Sequence, residues 1–341
     1  MAEDATPAEP APSKRRRVAY GEVPPEANAP LAPYKGERPP APKWFEDAIA
    51  QAPEERFVTS LGTKLELLTW GEVGKPGLLL LHGNGSHAHW WAHIAPFLTE
   101  HYRVAAFSLA GSGGSEWRDR YSSLDVAEDA EACARAAGLY EGGGPPIYIG
   151  HSLGGAQSFC AAEAHPERMR GVVLIDSSFR GPSAEAVAEM QAELAGRGGT
   201  STPRVYASEA AALARFRLAP LQPLRAPYIG DYIARKGLGP ARLPDGSGMG
   251  FSWRHDPAIW AKLVRGHEQG PFPEGPIHVR VPLVHMVGDR SHVVKFRQPN
   301  GDPLGPEVPL FAIPDCGHHV MIDQPMALVA ALRALLSVWP S

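Results

Sequence analysis

Cysteine is scarce. Only Cys133, Cys160 and Cys316 occur in 341 residues, far apart and odd in number. That excludes a disulfide framework and the paired spacing of a cysteine zinc site, and it points to a reducing compartment. No apolar run approaches the roughly eighteen residues that cross a bilayer, so a soluble, cytoplasmic protein with no membrane span is expected. Neither sign of charge dominates: a formal net charge of −4 offers no basic surface to nucleic acid or to an anionic membrane. Internal repeats are also missing. What is present, 44% hydrophobic and 21% charged residues, is the composition of a globular protein long enough to bury a full core. None of this fixes the oligomeric state.

Residues 1–42 lack apolar periodicity and are rich in Ala, Pro and Glu, so a disordered N-terminal tail is expected there. Inside it, Lys14-Arg15-Arg16-Arg17 reads either as a nuclear-import signal or as one of the short basic runs common in such tails. Acidic Glu3, Asp4 and Glu9 argue against a transit peptide, and the missing apolar h-region against a secretory leader.

The ordered part begins with a short helix over Trp44 to Ala50. Arg56–Ser60 and Lys64–Trp70 read as a hairpin joined through Leu61-Gly62. Apolar strands are expected at 77–81, 102–107, 147–149, 171–175, 282–287 and 310–313. Helices are expected after a Ser122 or Ser123 cap, over Leu153–Ala164 and over Met326–Val338. This alternation predicts an α/β fold, a mostly parallel central sheet with helices on both faces, built from residues 43–177 and 280–341. Residues 178–279 interrupt it. They show no sheet strand, but several helix-like pieces, over Ser183–Leu194, Ser208–Leu218 and Trp253–Val264, which predicts a helical lid insertion above the strand ends.

The centre of the chemistry is Ile147-Tyr148-Ile149-Gly150-His151-Ser152-Leu153-Gly154-Gly155. A strand, a Gly-x-Ser-x-Gly turn and a helix in that order form a nucleophile elbow, which pushes the serine hydroxyl out of the sheet; the plain alternative is a strand-to-helix loop with a solvated serine. A serine acyl-transfer site also needs two backbone N–H groups aimed at the developing oxyanion. Leu153 supplies one, and Asn84 in His82-Gly83-Asn84-Gly85 the other, with His82 and Gly83 beside the substrate. A histidine after the last strand, in Ile313-Pro314-Asp315-Cys316-Gly317-His318-His319, is placed to take the serine proton.

These motifs, with Gly317 to Pro325 as the third, resemble the α/β-hydrolase family over about residues 57–339. The resemblance implies Ser152 as nucleophile and His318, directly after the glycine, as base. Within the family, His82 with Trp90 and Trp91 is similar to the esterase and carbon–carbon hydrolase branches. It is also similar to haloalkane dehalogenases and epoxide hydrolases, but those carry an aspartate where Ser152 stands. The implied function is a serine hydrolase of a small carboxylic ester, thioester or lactone, with a small-molecule substrate and neither cofactor nor metal. The alternatives are a carbon–carbon bond hydrolase and a non-catalytic ligand- or partner-binding protein of the same fold.

Two places depart from the family pattern. Where it usually carries the acid of the triad, past Gly288, this chain has Ser291 and His292. The remaining carboxylates are Asp176, at the end of the 171–175 strand and favoured by its register, and Asp289, on the expected loop but early. The family also usually has an aspartate where Ser108 stands, ahead of the glycine run 110–114. Those glycines are read as shaping a loop beside the site, because neither dinucleotide spacing nor a Walker lysine follows. His87, His89 and His93 have two members at metal-ligand spacing, but Trp90, Trp91 and Ile94 are interleaved, and a buried face is the better reading. Arg215, Arg217 and Arg254 either pair an acidic substrate group or are solvated. Trp253 and Trp260 either line an acyl pocket or pack the lid.

Overall fold

The structure, a computed structural model, describes residues 24–177, 203–263, 280–291 and 308–339. The Lys14–Arg17 cluster, the helix expected over 183–194 and His292 lie outside the described residues. The first described segment departs from the expectation of a disordered tail to residue 42. Residues 24–42 form two 3-10 turns, Pro25–Asn28 and Ala32–Tyr34, and Gly36 accepts a bond from Arg235 Nη2 through its carbonyl at 2.7 Å. Composition misleads here because two side chains suffice to anchor the segment. Ala27 and Leu31 are almost fully buried, and Leu31 joins the same core as Phe45.

Helix α1, Lys43–Ala50, is followed by the hairpin of β1, Glu54–Ser60, and β2, Thr63–Trp70. Leu61 and Gly62 both take positive φ, +49° and +75°, the pair that a two-residue hairpin turn requires. Strands β3, Gly77–Leu81, and β4, Arg103–Phe107, are wholly buried. Helix α2, Ser123–Ala136, is capped by Ser122, whose hydroxyl accepts from Asp125 N–H, and the chain turns away at Gly138 with φ +71°. Strand β5, Ile147–His151, runs into α3, Leu153–Ala164, and then β6, Gly171–Ile175.

Residues 203–263 are not purely helical. Helices α4, Glu209–Leu213, and α5, Pro227–Lys236, accompany β7, Val205–Tyr206, β8, Leu238–Arg242, and β9, Met249–Trp253, which pair antiparallel in the order β7-β9-β8. Pro240 and Gly250 hide these strands from a propensity reading. Pro240 is tolerated because β8 is an edge, and a Cβ at Gly250 would run into the Tyr206 backbone. The segment packs on loops at the carboxyl ends of the central strands: Arg254 O accepts from Gly113 N–H, and Arg225 pairs with Asp315.

Strands β10, Leu283–Gly288, and β11, Leu310–Ile313, lead to α6, Val320–Asp323, and α7, Pro325–Ser337. The central sheet has the order β1-β2-β4-β3-β5-β6-β10-β11, parallel except that β2 runs against β1 and β4. Alternate residues serve opposite faces. Leu78, Leu80, Ile149 and Val173 pack with Trp91 and Leu328, whereas Leu79, Leu81, Tyr148 and Val172 pack with Phe159 and Ala130. The chain leaves β3 towards one edge and returns to β5 on the other side, a switch in strand order that opens a crevice at the carboxyl ends.

Near the hairpin, Asp129 is fully buried and takes two bonds from Arg118, at 2.7 and 2.8 Å, while Arg118 Nε donates to Thr63. Removing one partner of such a pair strands the other charge. Arg118→Met is therefore expected to lower unfolding stability by about 3–5 kcal/mol, read as a shift in urea midpoint. A shift below about 1 kcal/mol would show the pair to be structurally idle.

Candidate active site

Between β5 and α3 a single residue makes the turn. Ser152 has φ +51° and ψ −117°, a conformation that costs about 1–3 kcal/mol for a residue with a Cβ. Its neighbours hold it there. Ser152 N–H donates to Ile175 O at 2.9 Å, and Ser177 Oγ donates to Ser152 O at 2.7 Å. The two flanking glycines are sterically required: a Cβ at Gly150 would meet the Gly154 backbone, and one at Gly154 would lie 2.5 Å from the Leu81 and His82 carbonyl oxygens.

Ser152 Oγ lies 2.9 Å from His318 Nε2, and His318 Nδ1 lies 2.6 Å from Asp176 Oδ2. Asp176 follows β6 directly, is fully buried and also has positive φ, +46°. Its carboxylate accepts from Gly288 N–H at 3.0 Å and from Ser291 Oγ at 2.5 Å. With Nδ1–H donated to the carboxylate, Nε2 is left as an acceptor for the serine hydroxyl. Burial holds the His318 ring neutral, its pKa pushed down to about 4, and the adjacent carboxylate favours the charged ring once a proton arrives.

The other acidic candidate is elsewhere. Asp289 is exposed and accepts from Cys316 N–H at 3.1 Å. His319 is buried with its ring packed against those of Trp90 and His151. His151 sits beside His318, its Nε2–H donating to His318 O at 2.8 Å.

Leu153 opens α3, so its N–H is among those that have no acceptor within the helix. The loop after β3 passes alongside: a Cβ at Gly83 would be 3.3 Å from Ser152 Cβ and 2.9 Å from His151 Nδ1. Asn84, next in the chain, is exposed. His82 is a correction to the expectation of a substrate contact. Its ring is buried, with Nδ1–H donated to Gly83 O and Nε2 accepting from Leu109 N–H, and burial lowers its pKa to about 4. A ring with both nitrogens engaged inside the protein tethers two loops and has nothing left for a ligand. Trp253 is half-buried, 6.1 Å from the Phe216 ring, and lines a cavity of about 410 Å³.

His89 lies in the 3-10 turn Ala88–Trp91, His87 caps the start of that turn, and His93 falls between it and the 3-10 turn Ala95–Leu98; none is on an α-helix, and each is buried. His87 donates to Ile233 O and His93 to Met321 O. Among the described residues no group of three or more His, Cys, Asp or Glu side chains is arranged to hold a metal ion, and no helix is long and apolar enough to cross a membrane.

Three supporting residues escaped the sequence reading. Ser291, set aside because it carries no charge, is the donor that fixes Asp176. Ser177 clamps the elbow. Glu66 on β2 accepts from Ser108 Oγ at 2.6 Å and from Gly114 N–H at 3.0 Å, while Ser108 Oγ accepts from Ala88 N–H. The available signal was an acidic residue inside the apolar run Leu65-Glu66-Leu67-Leu68.

The family described as alpha/beta hydrolase fold matches residues 76–325. A lipase, LipV, from Mycobacterium tuberculosis is 34% identical over 113 residues, 33% of this chain and 41% of that protein. A pimeloyl-[acyl-carrier protein] methyl ester esterase from Yersinia enterocolitica is 33% identical over 116 residues, 33% of this chain and 42% of its own length. The chain thus spans about two fifths of the length of these curated relatives. Among solved structures, the thioesterase domain from the curacin biosynthetic pathway superposes with a TM-score of 0.66 at 22% identity, over 83% of this chain and 99% of that one, a likeness of fold. With the match extending from just before β3 to the start of α7, the chain belongs to the α/β-hydrolase family.

Proposed function

We propose that the protein is a serine hydrolase that cleaves a small carboxylic ester, thioester or lactone through an acyl-enzyme. The observation that carries this is the unbroken hydrogen-bonded line from Ser152 Oγ through His318 to the buried Asp176. His318 Nε2 takes the hydroxyl proton as Oγ bonds to the substrate carbonyl carbon, and the N–H groups of Leu153 and Asn84 hold the oxyanion. The bond to the leaving group breaks and that group departs with the proton from Nε2. Water then gives a proton to His318 and attacks the acyl carbon; the ester to Oγ breaks and Oγ recovers the proton. Asp176 stabilises the imidazolium in both steps. Residues 203–263, seated on the loops at the strand ends, act as part of the lid, and the lipase and esterase names of relatives support the substrate class.

A fluorophosphonate probe is expected to label the protein, with labelling lost in Ser152→Ala at unchanged thermal stability. Absence of labelling in folded wild-type protein would overturn the enzyme reading and favour a binding protein of this fold. Labelling with turnover only of β-diketones would favour the carbon–carbon hydrolase.

A further inference from the structure

The cavity that Trp253 lines has a wall of one charge. Arg204, Arg215, Arg217 and Arg254 all border it, and among the described residues no aspartate or glutamate does. All four side chains are exposed, and none forms an ion pair with a carboxylate among the described residues. They come from separate places in the chain, just before β7, after α4 and just after β9, yet meet around one cavity of about 410 Å³, within the range of small-molecule sites. In a chain of net charge −4 such a concentration of guanidinium groups runs against the overall sign, and draws anions to this spot. Guanidinium forks match carboxylate and phosphate oxygens in pairs. Aromatic faces share the wall: the rings of Phe216 and Trp253 are 6.1 Å apart, and Arg204 lies over Tyr206. Ser152 and His318 do not line this cavity, but it lies beside the candidate active site. Gly85 and Trp90 belong to its lining; Gly85 is two residues past Gly83, which abuts Ser152, and Trp90 packs on His319, the neighbour of His318.

We propose that this arginine-lined cavity binds the anionic end of the substrate, so that the bond cleaved at Ser152 belongs to a molecule bearing a carboxylate or phosphate group. The inference rests on Ser152 being the nucleophile, and it narrows the substrate from any small ester to an acidic one. The two anions are separated by matched pairs: monomethyl against dimethyl adipate for the carboxylate, and 4-acetoxyphenyl phosphate against phenyl acetate for the phosphate. In one of the two pairs the anionic member is expected to have a kcat/KM about tenfold or more above its neutral partner. That preference disappears in the Arg215→Gln/Arg217→Gln/Arg254→Gln variant and shrinks in about 0.5 M NaCl. Arg56→Gln, on the exposed face of β1, leaves it intact. Equal rates within both pairs, with neutral esters still cleaved, would overturn the anion site and leave the serine hydrolase standing. If no ester is cleaved, calorimetric titration with pyrophosphate and with glutarate decides. Binding that the triple variant loses would retain the anion site while the nucleophile reading fails, and no binding would overturn it.

Discussion

Replacing Asp176 with asparagine is expected to lower kcat by about four orders of magnitude with little change in KM, whereas Asp289→Asn leaves kcat within about a factor of three. The difference follows from what each carboxylate touches. Asp176 Oδ1 already accepts from Gly288 N–H, so an asparagine keeps its oxygen there and turns its amide nitrogen towards His318. An amide N–H facing Nδ1 forces the proton of the neutral ring onto Nε2, where it can no longer accept from Ser152. Ser291, which donates to the second carboxylate oxygen, loses its acceptor as well. Asp289 by contrast is exposed and, among the described residues, accepts only from Cys316 N–H. Urea midpoints of both variants separate lost chemistry from lost folding. Near-wild-type rates in both, at wild-type stability, would show that neither carboxylate serves His318.

The sheet was readable because its strands are short apolar runs and its turns carry their own chemistry. Gly171–Ile175 and Leu310–Ile313 are strands over the residues expected, and Leu153–Ala164 is a helix over the residues expected. In each case a hydrophobic run or a glycine turn marks the end locally. The small sheet of 203–263 was not readable in the same way. Its strands carry Gly239, Pro240 and Gly250, and they exist because they pair with each other and pack on the core, which no local propensity encodes.

Of the two supporting carboxylates, Asp176 was legible as a candidate from its place at the end of the 171–175 strand and Glu66 was not, yet both cases have one geometry. The family place for the acid holds Ser291, and the anion comes from Asp176 on the adjacent strand: β6 and β10 are paired with Ile175 opposite Met286. At the family place for an aspartate stands Ser108, and the anion comes from Glu66 on the adjacent strand: β2 and β4 are paired with Leu67 opposite Phe107, so Glu66 and Ser108 are the next pair along. In each, a serine hydroxyl donates to a carboxylate that has moved one strand sideways. Such an exchange preserves the local charge and its hydrogen bonds while erasing the motif, because neighbours across a sheet are distant in sequence. For Glu66 the sheet order has to be known before the replacement can be seen.

Acid is expected to unfold the protein well above the pH at which its native histidines titrate. His82, His87, His93 and His151 are buried, each with a ring nitrogen donating to a backbone carbonyl, on Gly83, Ile233, Met321 and His318 respectively. Burial pushes their pKa values down to about 4 for His82 and His93 and about 3 for His87 and His151. In the unfolded chain the same side chains titrate near 6.5. As the pH falls below that value the unfolded state takes up protons that the native state refuses, so stability is complete above about pH 7 and declines on the acid side. Each ring contributes a slope approaching about 1.4 kcal/mol per pH unit, and the four together about 5 kcal/mol per unit, against a typical total of about 5–15 kcal/mol. Carboxylates titrate lower and do not offset this loss in the range from about 6.5 to 5. Urea midpoints are therefore expected to drop steeply between pH 7 and about 5.5. His93→Gln, which keeps an N–H for Met321 O but carries no titrating group, is expected to remove one ring's share of the slope, about 1.4 kcal/mol per pH unit. A midpoint independent of pH over that interval would refute the account. The acid limb of activity then follows the loss of structure and is steeper than one proton. A one-proton limb in a still-folded protein would instead report His318, whose neutral ring is the form that accepts the proton of Ser152.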